Sequence, residues 1–237
     1  MRQTMSIVII SVVVSLYVNM DLVSANFVTL HKIDEGSRAS HAVELLGREY
    51  HHSGAREATD DKSLNEKIYQ QFRDRLPEAY QDQALDFTNI VIEEAHKAKI
   101  DPVLVMAIIS VESQFDPKAK GTSGEMGLMQ ILPNTAAWIA KKTGHSYKSG
   151  ESLYDPQINI VLGVRYIAFL RKSFGGHGAR YIAAYNMGAG NVRKLVAQNT
   201  NPKVYPAKVM YNYKKLYTGF VKTDDAVSTF NWQVAAD

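Results

Sequence analysis

Hydrophobic positions recur at helical spacing along most of the chain. Leu64, Ile68 and Phe72 do so over Ser63 to Arg75, which closes before Pro77, and Leu85, Val91, Ile92 and Ala95 do so over Gln81 to Lys99. Next comes Asp101-Pro102, an N-cap followed by proline at the first helical position. Of the nine residues Val103 to Val111 only Ser110 is polar, and a helix apolar on every side is a buried one. Phe115 to Gly127 is a loop punctuated by Pro117, Gly121, Gly124 and Gly127. Pro133-Asn134-Thr135 leads a helix to Lys142. A second loop, Gly144 to Tyr154, ends at Asp155-Pro156, which opens a helix to Phe174 with Arg165, Arg171 and Lys172 expected toward solvent. Arg180 to Tyr185 is a short helix, and after a glycine turn Asn191 is expected to cap another through Ala197. Lys203 to Phe220 is a last helix rich in tyrosine and lysine. No period-two alternation is convincing between residues 63 and 220, so the expected class is all-α.

The two ends read differently. Arg2, the apolar run Ile7 to Val18 and the small residues Val23-Ser24-Ala25 fit a secretory signal peptide over residues 1–25, cleaved before Asn26. An uncleaved membrane anchor is the alternative, interrupted by Asn19 and Asp21. Both readings place the working domain outside the cytoplasm, in the periplasm or envelope, or secreted. Residues 26–62 have scattered charges and no sustained periodicity, which reads as a linker or a partly ordered, partly helical arm. Residues 63–220 are the expected globular domain and 221–237 a tail without pattern.

Composition narrows the chemistry. The chain has 237 residues and no cysteine, which excludes disulfides, thiolate metal sites and a cysteine nucleophile. From Asn26 to Ala98 there are 9 Lys and Arg against 14 Asp and Glu; from Lys99 to Phe220 there are 16 against 6. A basic domain suits an anionic partner, although a scattered solvated surface produces the same count. His51-His52 and the lone His96, His145 and His177 have no metal-ligand spacing and read as solvated, so no metal site is expected.

One residue stands out chemically. Glu112 ends the buried helix, where desolvation and the negative end of the helix dipole both disfavour its anion. A raised pKa would let it donate a proton near neutral pH. The plain alternative is a first solvated residue after a core helix.

Taken together, the motifs are more specific than any one of them. Glu112-Ser113, Gly127-Leu128-Met129-Gln130 and Ala184-Tyr185-Asn186 resemble the three signature blocks of the family 1, SLT-type lytic transglycosylases. The longer stretches DPVLVMAIISVES, GLMQILPNTA, LYDPQINIVLGVRYIAFL and AYNMGAGNV agree in order and spacing, over roughly residues 87–217. The resemblance implies a lysozyme-like helical domain with a saccharide groove. It implies that Glu112 is the single acid/base cleaving peptidoglycan between N-acetylmuramic acid and N-acetylglucosamine, leaving a 1,6-anhydro end. Tyr185 would orient Glu112 or nearby substrate, Gln130 and Asn186 would hydrogen-bond sugar, and Leu132 and Tyr205 would sit in the cleft. Ser113 would fix the helix end, with Gly127 and Met129 in support.

No cofactor, no metal and no nucleic acid is implied, and a monomer is expected. Residues 26–98 are a candidate docking segment for an envelope protein. Two positions depart from the family pattern. Gly121 stands where serine is frequent, which passes any hydroxyl role to Thr122, and Glu125 stands where alanine is common. Glu125 could contact a deacetylated glucosamine or act as a second carboxylate. The rival readings are a muramidase on the same scaffold and a non-catalytic peptidoglycan-binding module of an envelope-spanning machine.

Overall fold

Residues 31–58 and 61–220 are described here from a computed structural model. The expected signal peptide and C-terminal tail lie outside the described residues. The α-helices among the described residues are α1 (Glu35–Leu46), α2 (Gly54–Glu57), α3 (Asp61–Arg75), α4 (Ala84–Ala98), α5 (Pro102–Glu112), α6 (Pro133–Thr143), α7 (Pro156–Ser173), α8 (Gly178–Met187), α9 (Ala189–Ala197) and α10 (Val204–Phe220). Short 3₁₀ turns occupy Gly47–His52, Glu78–Gln83 and Gly150–Tyr154. Among the described residues there is no β-strand, only isolated bridges at Met126 to Lys120 and Ile131. The all-α expectation holds.

Helix α5 forms where the sequence places it. Asp101 caps it by accepting the Val103 N–H at 2.9 Å, and Val103 to Ile109 are wholly buried. Burying a large aliphatic side chain contributes about 1.5–3 kcal/mol, so this helix anchors the core. Helices α10 and α4 pack on it, α7 packs on α4 and α8, and α3 closes the α4 side. The core face of α4 is Ala84, Phe87, Val91, Ile92 and Ala95, while Leu85 is only half-buried.

Several expectations change. Within the segment read as a linker or a partly ordered, partly helical arm lie α1, the first 3₁₀ turn and α2, and its Arg38, His41, Ala42 and Ala55 are buried in the core. Its apolar residues are too few for a periodic signal, because polar side chains make its packing. Arg38 donates to the Tyr217 hydroxyl at 2.7 Å and to the Ala55 carbonyl at 2.9 Å. His41 Nδ1 accepts the Asp101 N–H at 2.9 Å, so Nε2 carries the proton and bonds the Tyr181 hydroxyl at 2.8 Å. This histidine has no motif and is structural.

Arg165 and Arg171 also leave the expected solvent face. Arg165 pairs with Glu94 at 3.1 Å. Arg171 holds Glu44 of α1 with Nη2 at 2.7 Å and donates from Nη1 to the Lys99 carbonyl at 2.7 Å. Each arginine finds a carboxylate distant in sequence, and ion pairing decides its orientation. Helix α9 starts before Asn191, with Gly188 at its N-cap; the Asn191 amide reaches back to the Met187 carbonyl at 2.8 Å.

The burial of His41, with Arg171 nearby, pushes its pKa down from 6.5 to about 3. The unfolded chain takes up this proton near pH 6.5, whereas the folded protein resists it to about pH 3. Its contribution is therefore complete above about pH 6.5 and is lost as the pH falls toward 3, at up to about 1.4 kcal/mol per unit. Urea unfolding at pH 7, 6 and 5 should show this slope in the wild type and a flatter one in His41→Gln.

Candidate active site

Glu112 is the last residue of α5, and the chain turns sharply after it. Ser113 Oγ donates to the Ile109 carbonyl at 3.2 Å and accepts the Phe115 N–H at 3.2 Å, the helix-ending part expected of it. Gln114 and Phe115 both have positive φ, 52° and 71°. Left-handed backbone costs about 1–2 kcal/mol per residue outside glycine. Full burial of Phe115, edge-on to Phe72 with centroids 5.6 Å apart, offsets a cost of that size. The reversal leaves Glu112 half-buried at the mouth of a groove.

The opposite wall is the loop from Lys120 to Leu132, and Asn159 of α7 builds it. The fully buried Asn159 accepts the Met129 N–H at 2.7 Å and donates to the Met126 and Leu153 carbonyls at 2.8 and 2.9 Å. A Cβ at Gly127, where φ is +75°, would lie 2.2 Å from the Leu153 carbonyl oxygen and 2.4 Å from Asn159 Nδ2. Glycine is required there by space as well as by conformation. Met129 packs its sulfur against Gly163 of α7, where a Cβ would approach to 2.3 Å. Gly127 and Met129 thus pack the loop against Asn159 and Gly163 of α7.

The groove encloses about 470 Å³. Glu112, Thr122, Gln130, Leu132, Tyr185 and Asn186 line it together, which unites six of the ten candidate residues. Ser113, Gly127, Met129 and Tyr205 stand outside the wall. Thr135, Tyr166 and Met187 line it too and were missed, since on helices α6, α7 and α8 they carry no distinctive local pattern.

Two tyrosines exchange the parts expected of them. Tyr205, in the first turn of α10, donates its hydroxyl to Glu112 Oε1. Tyr185 donates instead to the Met129 carbonyl at 2.8 Å, and its ring stands against Tyr166 with centroids 5.4 Å apart. Tyr205 therefore holds the carboxyl, and Tyr185 ties α8 to the loop. Gln130 has φ 47°, and its amide nitrogen donates to the Ala119 and Gly127 carbonyls at 3.0 and 2.9 Å. The nitrogen is used as a brace, so only its oxygen is left for a ligand.

The electrostatics shift Glu112 toward its protonated form. Burial raises its pKa, the Tyr205 hydroxyl opposes that by bonding the anion, and the Glu125 carboxylate raises it further. A half-buried carboxyl of raised pKa beside a polar groove is placed to exchange a proton with a ligand oxygen.

The helical fold thus sets a half-buried carboxyl of raised pKa, bonded by a tyrosine, in a polar groove. The sequence profile described as the transglycosylase SLT domain matches residues 89–207, and the chain belongs to that family. The soluble lytic murein transglycosylase of Escherichia coli K12 is 35% identical over 128 residues, 54% of this chain and 19% of that protein. The membrane-bound lytic murein transglycosylase E of Buchnera aphidicola is 41% identical over 91 residues, 38% of this chain and 41% of that one. The crystal structure of the 70 kDa soluble lytic transglycosylase from Escherichia coli aligns at 25% identity with a TM-score of 0.47, covering 77% of this chain and 32% of that one. In each comparison the chain spans less than half of the relative's length.

Two outcomes follow from the site geometry. In carboxyl-detected NMR titrations, Tyr205→Phe should raise the Glu112 pKa, because an anion-stabilising donor is lost, and Glu125→Gln should lower it. Asn159→Ala should cost about 3 kcal/mol in urea unfolding, because three buried backbone groups lose their partner.

Proposed function

We propose that this protein is a peptidoglycan lytic transglycosylase in which Glu112 is the single catalytic acid/base. The observation that carries the reading is Glu112 itself: a desolvated carboxyl, gripped by Tyr205, at the mouth of a polar groove. Family membership over residues 89–207 supports the substrate class.

Glu112 protonates the glycosidic oxygen between N-acetylmuramic acid and N-acetylglucosamine as the bond to the anomeric carbon breaks. The Glu112 carboxylate then takes the proton of the muramoyl 6-hydroxyl, whose oxygen attacks that carbon. The ring closes as a 1,6-anhydro end, the carboxyl is regenerated, and no water is consumed. The Tyr205 hydroxyl bonds the anion formed after proton delivery, so its donation grows in value during the step. Asn186, exposed on the wall, and the Gln130 carbonyl oxygen supply polar contacts to the sugars. The acetamido oxygen of the substrate fills the place of the second carboxylate used by ordinary glycosidases.

The reading extends to export by residues 1–25 and action on the wall in the periplasm or envelope. The names of the relatives, soluble and membrane-bound murein transglycosylases, support that location. With the inner faces of α1 and α2 used inside the fold, a docking partner for residues 26–98 would meet their outer side. Glu125 in the same groove favours one second reading, hydrolysis by a muramidase with that carboxylate directing water.

Digestion of purified peptidoglycan followed by mass spectrometry separates these readings. Muropeptides one water lighter than reducing-end products are expected. Hydrated reducing ends would establish the muramidase, and binding without products would establish a glycan-binding module. Glu112→Gln should lower turnover by at least about 10³-fold, as expected for losing a general acid, with helical circular dichroism unchanged. Near-wild-type turnover would remove Glu112 from the role.

A further inference from the structure

The loop that faces Glu112 holds a carboxylate that the proposed chemistry leaves unused. Glu125 lines the groove, and its Oε2 accepts the Ser123 N–H at 2.9 Å. It lies over Gly121: a Cβ added there would be 2.2 Å from Glu125 Oε2 and 2.9 Å from Gln130 Oε1. A side chain at position 121 would make the ends of the Glu125 and Gln130 side chains move aside. The two departures from the family pattern are therefore one structural feature, in which the side-chain space above residue 121 is given to the Glu125 carboxylate.

The surroundings leave that carboxylate uncompensated. Among the described residues no Lys, Arg or His forms an ion pair with Glu125, and none lines the groove, although the chain from Lys99 to Phe220 is strongly basic. A second anion in this place also works against catalysis on a neutral sugar. Glu112 becomes negative when it gives up its proton, and Glu125 penalises that charge. A cation carried into the groove by the ligand would neutralise Glu125 and remove the penalty. Within an amino-sugar polymer, the group that supplies one is the free 2-ammonium of a de-N-acetylated hexosamine.

We propose that Glu125, made possible by Gly121, is a specificity residue that selects glycan strands bearing a free 2-amino sugar beside the reacting bond. The inference rests on the glycan-cleaving reading of the groove. Its contact is a charge-assisted hydrogen bond from the ammonium to the Glu125 oxygen not held by Ser123. Gln at 125 can keep the Ser123 bond through its amide oxygen while removing the charge, so Glu125→Gln isolates the electrostatic part.

The test reads binding, so that it stands apart from cleavage. Calorimetry on the full chain below pH 7, where the free amine is protonated, compares a glucosamine tetramer with an N-acetylglucosamine tetramer. The wild type should bind the glucosamine tetramer about tenfold more tightly, with the preference shrinking as salt is added. In Glu125→Gln the ratio should fall to near one, and Gly121→Ser should reduce it by displacing the carboxylate. An equal ratio in wild type and Glu125→Gln, or no wild-type preference, overturns the proposal. Absence of peptidoglycan cleavage would instead overturn the enzymatic reading and leave this ratio to be measured.

Discussion

A buried carboxylate at the start of α5 holds that helix in register with the helices packed on it. Asp101 is fully buried and accepts hydrogen bonds from the Val103 N–H and from the hydroxyls of Tyr213 and Tyr217 at 2.6 and 2.7 Å, while its own N–H goes to His41. Burial alone pushes its pKa up, and the tyrosines and Arg38 oppose that shift. An uncompensated charge in such a place would be among the costliest features of a core. Here the positive charge of Arg38 reaches it through Tyr217, which accepts from Arg38 and donates to Asp101.

Helix α10 bonds both ends of α5. Tyr213 and Tyr217 meet Asp101 at its N-terminus, and Tyr205 meets Glu112 at its C-terminus. Glu112 is thus held by the helix that also satisfies the buried cap eleven residues earlier. Helix α1 backs the arrangement through Arg38 and His41, and Arg171 ties α1 to the end of α4. The N-terminal segment is for this reason part of the framework of the site.

The groove wall depends on a comparable exchange of strain for satisfied groups. Gln114, Phe115 and Gln130 adopt left-handed backbone; burial compensates Phe115, and hydrogen bonds to the loop compensate Gln130. Asn159 ties that loop to α7, and Tyr185 ties it to α8. Two separate helices hold one irregular segment opposite Glu112. Such a wall presents its polar atoms with little freedom.

Local sequence determined the features that depend on neighbours along the chain. The apolar run after Asp101-Pro102 specifies a buried helix, its end places Glu112 at a boundary, and Asp155-Pro156 opens α7 by capping, with the Asp155 side chain accepting the Gln157 N–H. Gly127 in the GLMQ block marks a turn that only glycine can make. Tertiary structure decided what depends on residues far apart. Tyr205 rather than Tyr185 reaches Glu112, the unremarkable His41 and Arg38 are core residues, Arg165 and Arg171 turn to acidic partners, and Glu125 takes the space of a side chain at 121. Apolar periodicity is legible because burial acts on a whole helix face. The orientation of a polar side chain is set by a few directional bonds, and their partners lie tens to more than a hundred residues away.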